Sequence, residues 1–377
     1  MKRRPEQDLD LMFFESFAQD GEERIATLEE MARRADLQKD MEHAVRARTE
    51  IVNAGTWSGN YEKALIAFNW LLAQYDRDPE SVPDISHLMW MYKWIIGELY
   101  HFPQIPLKQI EKGLADLARR TRKEQTSLRV VHKLRCLAYA DMGLVRKAAK
   151  YEKLWQAAEV DGSTDCPACE VNGHVEYLLL TGQEKRAIKE AEPLLRGRLR
   201  CTEVPLVTHC WLLLPLLRAG KLKQAAQSQR KSYQQARSNR KNLDLIGHQI
   251  AFLSVTGELS KAVKLFESRL EWALDTHHGH GPFYFLLGAR VAIGRVLACG
   301  RQRLRLRLPQ LADCHREDGQ YATGEVADWL LQKVKALASA FDERNGTDRF
   351  ARLVKENEKL IKLSEVELPA EATVAAK

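Results

Sequence analysis

The chain has 377 residues, 45% hydrophobic and 29% charged, with 12 prolines and 21 glycines; it is too apolar for a disordered chain and too evenly charged for a membrane protein. Its net charge of +7 favours an acidic partner but is too diffuse to mark a nucleic-acid binder. Seven cysteines make an odd and sparse set, unlike the framework of a small secreted domain, so free thiols in a reducing compartment are expected.

Met1 to Asp10 places basic residues directly ahead of acidic ones. No secretory signal is expected there, and the longest apolar run, Trp211 to Leu217 with Pro215 inside it, is too short to span a membrane. The reading is cytoplasmic. Residues 6–34 read as two helices separated at Asp20-Gly21, forming an N-terminal cap over 1–35. A helical array follows over 36–299. In it a glycine is followed five residues later by an alanine at Gly59 and Ala64, Gly143 and Ala148, Gly182 and Ala187, Gly220 and Ala225, and Gly257 and Ala262. The last four glycines are spaced 39, 38 and 37 residues apart. Each follows an apolar helical stretch and precedes an amphipathic one, which predicts a tight turn with glycine in the left-handed cap position. The alanine, one turn into the second helix, lets two helices approach closely.

Residues 85–122 read as a divergent helical pair, with Trp90, Trp94, Ile95, Ile96 and Leu99 at helical spacing and Pro103 and Pro106 breaking the pattern. Leu304 to Pro309 alternates with period two and predicts a short extended segment. Residues 325–363 read as a final pair turning at Asn345-Gly346 with Thr347 or Asp348 as N-cap, inside a C-terminal cap of 300–363. The tail from 364 to 377 has no packing period and is expected to be disordered. The fold class is therefore all-α, a solenoid of antiparallel helical hairpins with essentially no sheet.

Gly59-Asn-Tyr-Glu-Lys-Ala64 with Phe68 four residues on resembles the turn and second helix of a tetratricopeptide repeat, and Gly257, Ala262 and Phe266 keep the same spacing. The other three copies keep the glycine and alanine without the phenylalanine, on a period longer than the family's roughly 34 residues. The resemblance covers residues 36–275. Cys166-Pro-Ala-Cys169, Cys201 to Pro205, Leu212 to Leu217 and Phe341 to Gly346 are also similar to segments of a group of bacterial tetratricopeptide proteins, a likeness that carries no activity with it. The resemblance implies that the first helix of each pair lines a groove for an extended peptide or a partner helix. The family's groove positions fall on Arg46 and Asn53 before Gly59, Lys133 before Gly143, Asn172 and Glu176 before Gly182, and Arg218 before Gly220. No repeat carries the complete Lys and Asn pair with which such grooves grip a carboxylate.

Cys166-x2-Cys169 has the spacing of a zinc turn, and Cys201, His209 and Cys210 lie one repeat later. With no second C-x2-C, no metal is expected, and buried cysteine is a common small hydrophobe. His277-His278-Gly279-His280 reads as a flexible inter-repeat loop. No nucleophile elbow, phosphate loop, dinucleotide fingerprint or zinc-protease helix is present. No catalytic residue and no cofactor are therefore expected. Val204 to Leu243 holds eight Lys and Arg without an acidic residue, most of them near Lys221 to Arg237, and reads first as a solvated basic face.

Together these features predict a non-catalytic scaffold that binds a protein or peptide, an acidic one by preference, and neither membrane nor nucleic acid. A second reading is a peptide-responsive bacterial regulator, although the acidic stretch from Glu15 to Glu30 argues against a DNA-binding helix-turn-helix at the N-terminus. A third, a novel enzyme, requires perturbed acids and bases gathered in one pocket.

Overall fold

A computed structural model describes residues 5–369. Among them are nineteen α-helices, two single-turn 3-10 helices and one two-stranded ladder, so the protein is all-α. It forms two compact units. One runs to Leu134 and takes in Trp155–Ser163, and the other comprises Arg135–Leu154 and the chain from Thr164 onward.

The first unit contains α1 (Pro5–Ser16), α2 (Gly21–Gln38), α3 (Met41–Ser58), α4 (Tyr61–Arg77), α5 (Ile85–Leu99) and α6 (Leu107–Lys123). The helices α7 (Arg129–Asp141) and α8 (Val145–Ala157) each belong partly to both units. Helices adjacent in the chain pack on one another from α1 to α6, burying Leu28, Met31, Val52, Phe68, Leu71, Ile96 and Leu114. The buried guanidinium of Arg120 is fully partnered here. Arg120, 8% exposed, donates two 2.7 Å bonds to Asp76 and one of 2.7 Å to Asp116, which also accepts the Tyr92 hydroxyl at 3.0 Å. Hydrogen bonds from Arg120 hold the Asp76 carboxyl below the usual carboxylate range.

The second unit continues with α9 (Pro167–Leu180), α10 (Glu184–Glu190), α11 (Glu192–Leu195), α12 (Leu206–Trp211), α13 (Leu213–Arg218), α14 (Leu222–Ala236), α15 (Leu243–Val255), α16 (Leu259–Leu274) and α17 (His280–Ala298). Strands β1 (Arg303–Arg305) and β2 (Gln320–Ala322) and helices α18 (Thr323–Asn345) and α19 (Arg349–Ile361) complete it. Pro193 and Pro215 supply no N–H to a helix interior, and they stand where the chain divides into α10 and α11 and into α12 and α13.

The repeated turn has one construction throughout. Gly59, Gly143, Gly182, Gly220 and Gly257 all take φ between 68° and 84°. After each, the next residue's N–H returns to the carbonyl five residues back, as Leu144 does to Tyr139 at 2.8 Å and Gln183 to Leu178 at 2.7 Å. Ala64, Ala148, Ala187, Ala225 and Ala262 are each 0% exposed. A side chain with any reach at these five positions meets packed atoms.

The alternating segment forms β1, where Leu304, Leu306 and Leu308 are buried between exposed arginines and Leu304 pairs with Tyr321. Its partner β2 is too short to announce itself in the sequence. The C-terminal helices turn at Gly346 as expected, but Asp348 does not cap α19 with its side chain. Asp342 does so from α18, accepting the Phe350 and Ala351 N–H groups at 2.9 and 2.8 Å. Thr347 Oγ1 donates to the Met142 carbonyl and Arg349 Nη1 to the Leu180 carbonyl, both at 2.9 Å, so α19 returns to the turns after α7 and α9. Of the tail expected to be disordered, Val366 N–H bonds the Val255 carbonyl at 2.9 Å, and 370–377 lie outside the described residues.

Among the described residues one helix, α17, is long and apolar enough to cross a membrane, yet 78% of its apolar window is buried inside the structure. Its polar side chains are partnered, Arg290 with Glu358 at 2.9 Å and Arg295 with the Leu360 and Leu363 carbonyls at 2.9 and 2.6 Å. Its closest neighbour is α15. A Cβ built on Gly288 would lie 2.2 Å from the Gly247 carbonyl oxygen, and one on Gly247 would lie 2.2 Å from that of Tyr284. The two backbones meet without side chains between them.

Replacing Gly288 with Ala should therefore lower stability by at least about 1–3 kcal/mol through overpacking. Gly324→Ala, where an added Cβ meets nothing within 4 Å, should be neutral or stabilising by up to about 1 kcal/mol. Urea denaturation followed by circular dichroism checks the pair, and equal midpoints for the two variants would contradict the close crossing.

Candidate functional site

The glycine crossing sets the floor of a cavity of about 400 Å³ lying wholly in the second unit. Asp244 and His248 stand one turn apart on α15, either side of Gly247, and His280, Tyr284 and Leu287 stand on successive turns of α17. Helix α9 adds Glu176, Leu179 and Leu180, α13 adds Leu214 and Arg218, and α19 adds Arg349, Arg352, Leu353 and Glu356. The lining thus joins an apolar wall to charged groups of both signs.

The floor is an aromatic and imidazole cluster. The His280 and His248 rings lie 4.8 and 5.5 Å from the Tyr284 ring, and His280 Nε2 is 3.6 Å from Asp141, which is 2% exposed. Burial pushes His248 down to about 4, with His280 and Arg218 adding to the effect and Asp244 opposing it. Burial likewise raises the Tyr284 hydroxyl above its ordinary range, against a hydrogen bond from Arg349. At neutral pH both groups are uncharged, one with a free acceptor nitrogen and the other a hydroxyl donor. Arg349 spends Nη1 on the Leu180 carbonyl, while its Nε is buried without a hydrogen-bond partner.

Of the residues that the sequence singled out for a groove, Glu176 and Arg218 line this cavity together, Arg218 being exposed and paired with Glu184. The other four lie elsewhere. Arg46 pairs with Asp10 at 3.1 Å and stacks 3.8 Å from the Phe13 ring centroid. Asn53 donates to Glu50 at 3.1 Å, and Asn172 accepts from Thr208 at 2.6 Å. Lys133 departs furthest from a groove position: it is 6% exposed, with its ammonium 5.6 Å from the ring centroid of the fully buried Trp155. A buried cation held against an aromatic face belongs to packing.

The histidine-rich segment is not a loose loop, since His278 is 8% exposed and His280 opens α17 at the cavity. His209 and Cys210 do not join the other cysteines: His209 faces Ser228 at 3.0 Å and Cys210 faces Gln249 at 3.4 Å. The basic interval is partly neutralised from outside itself, through Arg218 with Glu184, Arg240 with Asp275 and Lys241 with Glu203. Asp244, His248, Tyr284 and Arg349 carried no motif that sequence reading could use. The one available signal was the i,i+4 pairing of Asp244 with His248 around a glycine.

The depressed His248 makes a signed prediction. Unfolded, it takes up a proton near pH 6.5, and folded only near 4, so stability is full above about pH 6.5 and falls as the pH drops toward 4, by up to about 3 kcal/mol. Urea midpoints between pH 7 and 4 should decline less steeply in His248→Gln than in the parent, and parallel curves would contradict the burial of a neutral imidazole. No protein-family model, no curated protein and no solved structure matches this chain.

Proposed function

We propose that this protein is a non-catalytic scaffold of tetratricopeptide type that holds a segment of another protein in the cavity of its second unit. The observation that carries this reading is the Arg349 Nε, a buried donor without a protein partner beside an apolar wall. An unmet buried donor costs free energy that a ligand oxygen restores, and a peptide carbonyl or carboxylate supplies one. Leu179, Leu214, Leu287 and Leu353 receive an apolar side chain of the same segment, and Glu176, Arg218, Arg352 and Glu356 give both signs of charge for its flanks. The volume is that of a side-chain or small-ligand pocket.

Catalysis is the second reading, because His248, His280, Asp141 and Tyr284 do gather at one floor. Binding is favoured by the direction of the shifts. A general base works best with a pKa near the working pH, whereas His248 is driven to about 4 and Tyr284 upward, so both act as fixed neutral hydrogen-bonding groups.

The test is selection of peptides from a random display library on the purified full chain, followed by titration of the winners. Selected peptides should lose about tenfold in affinity, roughly 1.4 kcal/mol, on Arg218→Glu, and should also weaken on Leu353→Ala while helical content is unchanged. Peptides indifferent to both substitutions would place the binding site elsewhere and contradict the proposal.

A further inference from the structure

Three of the seven cysteines converge at one place remote in sequence from the cavity floor. Cys166 stands at the N-cap of α9 with Pro167 in the first helical position, Cys169 follows within the first turn, and Cys201 lies in the connection between α11 and α12. Their three sulfurs lie within 4.8 Å of one another, and none of them is in a disulfide. The approach is built into the packing. Ala168 on α9, Leu194 on α11 and Val204 before α12 are 0–3% exposed and form one apolar cluster, with Cys169 and Leu199 packed against it. Cys201 is fixed in turn by its own N–H, which donates to the Val204 carbonyl at 2.9 Å.

Packing alone gives no reason for this arrangement, because Cys166 and Cys201 are exposed and free cysteine serves as a core hydrophobe only when buried. A redox dithiol needs two sulfurs, yet a third is brought here from 35 residues beyond Cys166. Cys166 stands at the N-terminus of α9, where the positive end of the helix dipole favours a bound thiolate. Sulfurs on a tetrahedral zinc ion, with bonds of about 2.3 Å, stand about 3.8 Å apart, so small side-chain adjustments bring these three into register.

We propose that Cys166, Cys169 and Cys201 form a zinc site that holds one Zn²⁺ through three thiolates and leaves its fourth coordination position to water or to a donor from outside the chain. Among the described residues no fourth histidine, cysteine or carboxylate joins the three. The exposure of Cys166 and Cys201 leaves the ion reachable from solvent. A metal here ties the start of α9 to the α11–α12 connection. Each protein ligand binds as thiolate, so loading releases the protons those thiols carry and weakens as the pH falls.

The test uses the full chain, purified under reducing anaerobic conditions and freed of metal, titrated with Co²⁺ and then with Zn²⁺. The expected result is one equivalent of Co²⁺ with a sulfur-to-metal charge-transfer band, displaced by zinc, that loses about a third of its intensity in Cys166→Ser. Zinc affinity should fall about tenfold or more in that variant and stay unchanged in Cys299→Ser, an exposed cysteine outside the cluster. Alkylation read by mass spectrometry gives a second measurement that does not depend on any variant folding: zinc should protect Cys166, Cys169 and Cys201 and leave Cys299 reactive. Absence of the charge-transfer band, or zinc that protects none of the three, would overturn the proposal.

Discussion

The second unit depends on the crossing of α15 and α17 at Gly247 and Gly288. Because no Cβ fits between the two backbones, the helices sit closer than side chains allow, and residues one turn on either side are fixed relative to one another. Asp244 and His248 on one helix and Tyr284 and Leu287 on the other thereby share a surface. The opposite side of α17 is locked by aromatic packing: Phe283 lies 5.0 Å from Phe350, which stacks 4.3 Å from Phe341 at an interplanar angle of 10°. That contact seats α19 and so delivers Arg349 to the cavity.

A chain of consequences runs from these contacts to the chemistry. Enclosure strips water from the floor and drives His248 and Tyr284 to their neutral forms. In the binding role proposed above, neutral groups in fixed positions would read shape and hydrogen-bond pattern, and the arginines and glutamates around them would set the charge a ligand must present. The helices themselves rest on the recurring turn, in which a left-handed glycine reverses the chain and a fully buried alanine lets the second helix lie against the first.

The local structure was readable in the sequence because it repeats. The five glycine turns, the helix breaks at Pro103 and Pro106 and the alternation at Leu304 to Leu308 each follow from short-range steric rules. The return of α19 was not readable, since bonds from Thr347 to Met142 and from Arg349 to Leu180 span 205 and 169 residues and leave no local signature. The cavity was hidden for the same reason: its members come from eight helices, and only Glu176 and Arg218 occupied positions the repeat register pointed to. Lys133 shows the cost of register alone, because a groove position assigned by counting turned out to be buried over Trp155. The cysteines were visible as a spacing, but their convergence depends on Ala168, Leu194 and Val204 packing across three segments.

The central claim is that the floor between α15 and α17, closed by α19, is where the partner segment sits. Hydrogen exchange of the full chain with and without a bound peptide reads this most directly, because amide protection reports which helices a ligand steadies. The account predicts added protection confined to Glu176–Gly182, the C-terminal turn of α13, the region of Asp244 to His248, the region of His280 to Gly288 and the first turns of α19. Protection appearing instead along the basic helix α14, or within α1 to α6, would contradict it.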